Sequence, residues 1–156
     1  MIFILPVIAK PEHLTLGPYN VTFDAGKELQ DWNITKKESE TYMGSPEVDY
    51  SAMSSGIGIF IHYLHDLKEG WRLDSIDEWR KTIDEVIKAG GGTCKSYPRV
   101  IDGRDGFVAL AITKDGSFYG AYWYLTSNSS VGVISFYPWD EGTLQLLKTI
   151  NITAAG

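Results

Sequence analysis

The sequence predicts an α+β fold, an antiparallel sheet with helices packed against it. Three observations carry this. Residues 75–89 form a capped, amphipathic helix pattern. Residues 96–137 alternate with a period of two between short turns, which predicts an antiparallel meander of four strands. Ile57 to His65 is apolar on both faces, as a central strand covered on both sides should be. Strands and helices fall in blocks instead of alternating, so the sheet is antiparallel and the class is α+β.

The first nine residues, Met1 to Ala9, are apolar, and Lys10 and Pro11 end the run. It reads either as the remnant of a clipped signal or membrane anchor or as an extra strand over Ile2 to Ile8. It is too short to span a bilayer, which takes about 20 residues. Residues 11–156 then form a single domain, a length that buries a core without disulfides. The stretch from Pro18 to Phe23 alternates as a half-buried strand, and Trp32 to Lys36 reads as a second short one. Glu38 to Glu47 is polar, contains Gly44 and Pro46, and reads as a loop.

In the strand at 57–65, Ile57, Ile59, Ile61 and Tyr63 share one face, and Gly58, Phe60, His62 and Leu64 the other. Ser75 and Glu78 match a capping box. Ile76, Trp79, Ile83, Val86 and Ile87 make the apolar stripe, and Gly90, Gly91 and Gly92 stop the helix. In the meander, Pro98 confines its strand to an edge, an end or a bulge. Asp102 to Gly106 and Lys114 to Gly116 are turns. A closing helix over 142–150 should turn Leu144, Leu147 and Ile150 toward the sheet.

All four asparagines sit in glycosylation sequons: Asn20 with Thr22, Asn33 with Thr35, Asn128 with Ser130, and Asn151 with Thr153. With a roughly one-in-seven chance for each, four of four is on the order of one in two thousand. The pattern predicts an extracytoplasmic chain, secreted or membrane-anchored. A net charge of −6 without a basic cluster argues against nucleic acid and against anionic lipid as partners. Residues 11–156 offer nothing for direct membrane insertion, so the expected partner is a protein or glycan at the cell envelope.

No catalytic signature stands out. His62, His65 and Asp66 are close in sequence, but on a strand residues three apart face opposite ways, so no metal site is expected. Cofactors are likewise not expected. His62, Asp66 and Asp105 are the conceivable acid–base groups of a hydrolase, and Cys94 reads as an inert, buried thiol. The strongest binding signal is the aromatic strand of Tyr119, Tyr122 and Trp123, whose face would suit a sugar or another flat ligand. Cross-strand aromatic packing accounts for the same residues.

Three stretches resemble uncharacterised exported proteins of methanogenic archaea: Arg99-Val-Ile-Asp-Gly103, Tyr119-Gly-Ala-Tyr-Trp123 and Ser135-Phe-Tyr-Pro-Trp-Asp-Glu-Gly-Thr-Leu-Gln-Leu-Leu-Lys-Thr-Ile150. Their arrangement is similar to the PsbP superfamily, which spans extrinsic photosystem subunits, a Ran-binding nuclear factor and bacterial lipoproteins. The resemblance implies an α/β/α sandwich and a non-enzymatic adaptor or ligand-binding domain. It carries over no functional residue.

Overall fold

The structure, a computed structural model, describes residues 11–24, 31–40, 46–54, 56–64, 74–126, 129–138 and 140–154. The apolar run over 1–9 lies outside them. Ten strands and two helices are seen among the described residues. In chain order they are β1 (Pro11–Leu16), β2 (Tyr19–Asp24), β3 (Asn33–Glu40), β4 (Pro46–Ser54), β5 (Ile57–Leu64), α1 (Ile76–Ala89), β6 (Thr93–Ile101), β7 (Arg104–Ile112), β8 (Phe118–Leu125), β9 (Ser129–Ser135), α2 (Glu141–Thr149) and β10 (Asn151–Ala154).

Seven strands form one sheet in the order β3-β4-β5-β9-β8-β7-β6, and three form a second, β1-β2-β10. Every paired neighbour is antiparallel. The α+β class and the meander β6 to β9 are as the alternation predicts. β6 is an edge, where the missing N–H of Pro98 does no harm. β5 is central, with Ile57, Ile59 and Ile61 almost fully buried.

The main core lies between the two sheets. Ile57, Ile59, Ile61, Val131, Val133, Tyr122 and Tyr124 of the large sheet meet Leu16, Val21, Phe23 and Ile152 of the small one. α2 closes this side through Leu146, Leu147 and Ile150. Leu144, expected to face inward, is only half-buried, because the helix turns its Thr143, Leu146, Leu147 and Ile150 stripe to the core.

α1 packs on the opposite face of the large sheet, over β6, β7 and β8. Ile76, Trp79, Ile83 and Cys94 surround Phe107, Ala109 and Trp123 there. The capping box is present: Glu78 N–H donates to Ser75 Oγ at 3.2 Å, and Ser75 N–H to Glu78 Oε2 at 2.7 Å. Val86 departs from the expected stripe and is 64% exposed, since it lies at the helix margin away from Ile83 and Ile87.

Three strands go beyond the sequence expectation: β1, β4 and β10. The polar loop expected over 38–47 is shorter than predicted. β3 continues to Glu40, because a solvent-facing edge strand tolerates polar residues, and β4 begins at Pro46, held between β3 and β5 with Val48, Tyr50 and Ala52 buried.

Asp102 and Gly103 make the β6–β7 turn, with φ of 53° and 67°. Positive φ at both positions is what a two-residue hairpin of type I′ requires. Asp102 also does more than turn the chain. Its side chain is 5% exposed and accepts from Arg104 at 2.6 Å, Asn151 Nδ2 at 2.9 Å, the Ile152 N–H at 3.1 Å and the Tyr124 hydroxyl at 3.4 Å. One carboxylate thus ties the edge of the large sheet to β10 of the small one.

Candidate functional site

α1 covers only part of its face of the large sheet. The uncovered part, on β3, β4, β5 and β9, holds a cleft of about 430 Å³ walled on one side by Trp79. The register accounts for its composition. One cross-strand row runs Thr35, Ser51, Phe60, Gly132, Trp123, from β3 to β8. The next row runs Lys37, Asp49, His62, Ser130. Each row is polar at the β3 edge, and the first turns aromatic toward α1. The cleft therefore has an apolar floor and inner wall, with polar groups on its outer rim.

Trp123 lies flat on the sheet over Gly132. A Cβ at residue 132 would stand 2.5 Å from Cε3 and Cη2 of the indole and nearer still to Cζ3, so only glycine leaves room. Trp79 of α1 stacks on Trp123, with centroids 5.2 Å apart and planes at 29°. His62 meets Trp79 edge-on at 6.4 Å. Neither indole N–H has a partner among the described residues, although both nitrogens are buried. Such a group costs about 1–3 kcal/mol.

On the rim, His62 Nδ1 is 2.6 Å from Asp49 Oδ1, and His62 Nε2 is 3.7 Å from Glu47 Oε2. The histidine is three-quarters buried, and Asp49 is half exposed to the cleft. The Thr35 and Ser51 hydroxyls are 2.5 Å apart. Lys37 stands opposite Asp49 in the strand register.

Of the expected ligand-binding residues, Trp123 lines this cleft. Tyr122 does not. It points into the main core, 2% exposed, because neighbours on a strand face opposite ways. Its hydroxyl donates to the Pro138 carbonyl at 3.3 Å, and burial pushes its pKa up to about 12. Tyr119 lies on β8, and its side chain lies outside the described residues.

Of the expected acid–base groups, His62 and Asp105 do not come together. Asp105 lines a separate pocket of about 290 Å³ with Arg80 and Arg99. His65 and Asp66 lie outside the described residues. His62, expected in a mostly apolar layer, instead binds a carboxylate at the cleft. Among the described residues no three His, Cys, Asp or Glu side chains gather to hold a metal ion. Cys94 is half-buried against α1, and burial, followed by the Asp84 carboxylate, pushes its thiol pKa up. No helix of the described residues is long and apolar enough to cross a membrane.

Asn33 and Asn151 are exposed and Asn20 is half-buried, whereas Asn128 lies outside the described residues. The three described sequons all lie in strands. Asn20-Val21-Thr22 and Asn151-Ile152-Thr153 pair in register, Asn20 opposite Thr153 and Thr22 opposite Asn151. Val21 and Ile152 between them are buried. The two-residue spacing of a sequon is thus also the polar–apolar–polar period of an amphipathic strand.

Sequence reasoning misses Asp49, Ser51, Thr35 and Lys37, and takes Trp79 as a plain core residue. The alternation of Val48, Tyr50 and Ala52 with Asp49, Ser51 and Met53 is the signal that could have found β4. Comparison of the chain with described protein families, curated proteins and solved structures finds no match.

Proposed function

We propose that this chain is a non-enzymatic, extracytoplasmic binding module of the cell envelope that holds a small ligand in the cleft beside Trp79. The cleft carries this reading. Its volume of about 430 Å³ lies within the roughly 300–1,000 Å³ usual for ligand sites. It combines an aromatic floor with a few convergent polar groups, as such sites do. Four sequons and a net charge of −6 support the compartment.

Two measurements test the two halves. An NMR screen of the unglycosylated protein against a fragment library should give ligands whose shifts cluster at Phe60, Trp79 and Trp123. Hits confined to other surfaces would remove the cleft. Intact-mass analysis of protein from its native host should show hexose-sized additions at Asn33, an exposed acceptor on β3. A bare polypeptide mass would remove the compartment.

A hydrolase is the second reading, favoured by the 2.6 Å contact of His62 with Asp49. An acid–histidine pair of that kind orients an imidazole for proton transfer when the far nitrogen meets a nucleophile. Here Nε2 meets Glu47 at 3.7 Å. Turnover of chromogenic ester or glycoside substrates that disappears in His62→Gln would establish the hydrolase instead.

A further inference from the structure

The cleft's chemistry narrows what it holds. We infer that it takes one or two pyranose rings of an uncharged saccharide, the ring's C–H face on Phe60 beside the Trp79 wall and its hydroxyls at the β3–β4 rim. This rests on the cleft being the ligand site, as proposed above.

Two cross-strand rows define the ligand's shape. Moving from β5 to β3, the surface changes from aromatic to hydroxylated within one row, Phe60 giving way to Ser51 and Thr35. A ligand that fits must be apolar on one broad face and rich in hydroxyls along an edge. A pyranose is built that way, with axial C–H groups on its face and hydroxyls around its rim, and aromatic side chains match the former.

Charge excludes the nearest alternatives. The rim carries both signs, since Lys37 lies opposite Asp49 in the register and Glu47 lies 3.7 Å from His62. An anionic ligand would meet the Asp49 carboxylate. A quaternary ammonium would favour the rings and Asp49. It would face the Lys37 ammonium, however, and leave the Thr35–Ser51 hydroxyl pair without use. A neutral polyol uses every group, because its hydroxyls both donate and accept. Asp49 is suited to a pair of adjacent hydroxyls: one oxygen is held by His62 Nδ1 at 2.6 Å, and the side chain is still 48% exposed. Charge-assisted acceptors of this kind make the stronger hydrogen bonds. Held by the histidine, the carboxylate loses less freedom on binding.

The test uses the full chain made without glycans and followed by amide and indole NMR. The probes are glucose, galactose, mannose, N-acetylglucosamine and their β-linked disaccharides, with choline, acetate, glucuronate and adenosine as comparisons. At least one neutral saccharide should shift Trp79, Trp123, Ser51 and Thr35 together in a saturable way, and bind at least ten-fold more tightly than glucuronate or choline. Asp49→Asn, which keeps the shape, should weaken that saccharide at least ten-fold. Thr35→Ala, at an exposed edge position, should weaken it several-fold while leaving the spectrum of the fold intact. If choline, adenosine or a charged probe shifts the cleft and every neutral sugar leaves it still, the saccharide inference is wrong and the ligand-binding reading stands. If no probe, and no fragment from the library, shifts the cleft, both are wrong.

Discussion

Gly132→Ala should reveal whether Trp123 is seated as described. The added Cβ would stand 2.5 Å from two indole carbons. Carbon pairs settle at about 3.5–4.0 Å, so the ring must lift by at least about 1 Å. It cannot lift freely, because Trp79 lies stacked on its other side at 5.2 Å. Overpacking of this kind costs about 1–3 kcal/mol. Replacing a strand glycine returns about 0.5–1 kcal/mol of chain entropy. The net expectation is a loss of about 1–2 kcal/mol. The assay is urea unfolding followed by far-UV circular dichroism, with near-UV dichroism reporting the indole pair. A double-mutant cycle isolates the cause. In a Trp123→Ala background the clash is gone, and Gly132→Ala should become neutral or stabilising. If Gly132→Ala is as harmful with Trp123 removed as with it present, the close approach is not what glycine serves here, and the description of the cleft floor is wrong.

Asp102→Ala should destabilise by about 3 kcal/mol, since it strips a buried carboxylate from four donors and unpairs Arg104. Asp102→Asn, which keeps an acceptor and tolerates the positive φ, should cost clearly less; equal losses in chemical denaturation would deny the latch between sheets. Ser75→Ala removes one half of the capping box and should cost about 1 kcal/mol, with a weakened Trp79–Trp123 near-UV signal; an unchanged melt would show that tertiary packing alone holds the start of α1. Stability should also fall at high pH. Burial raises Tyr122 to about 12, and burial together with the Asp102 carboxylate raises Tyr124 further. The folded state holds these phenolic protons more tightly than the unfolded state, so stability is intact below about pH 10 and declines as pH rises toward about 12. Tyr122→Phe should flatten that decline in pH-dependent unfolding, and a slope equal to wild type would refute the assignment.

The elements that can be read from the chain share one property: their signal is local. The capping box at Ser75 and Glu78 and the glycine stop after Ala89 satisfy backbone groups within a few residues of themselves; the turn expected over Asp102 to Gly106 is in place but shorter, Asp102-Gly103 alone, with β7 starting at Arg104. β5 is legible because isoleucines at alternate positions, with apolar residues between them, suit a buried strand and break the period of a helix. β1 and β10 are not, since short strands of mixed polarity are stable only once a neighbour completes their hydrogen bonds; β4 carries the legible alternation of Val48, Tyr50 and Ala52 with Asp49, Ser51 and Met53. The sequon count is the instructive case. Asn-x-Thr is read as an acceptor motif, yet at Asn20 and Asn151 the same spacing lays two polar faces side by side across a pair of strands.

Of the cleft, the local signal reaches only Trp123, through its aromatic strand. Trp79, Trp123, Phe60 and Asp49 come from four separate elements, and each alone reads as packing or as a polar surface residue. What joins them is strand order and register: β9 inserts between β5 and β8, which sets Gly132 beneath Trp123 and carries Phe60 and Ser51 alongside. Sequence therefore settles the two helices, β5 and the β6 to β9 meander, because propensity, capping and alternation act over a few residues. It leaves the site to long-range pairing, because a one-residue slip of any one strand would turn that strand's side chains to the opposite face and break the cross-strand rows.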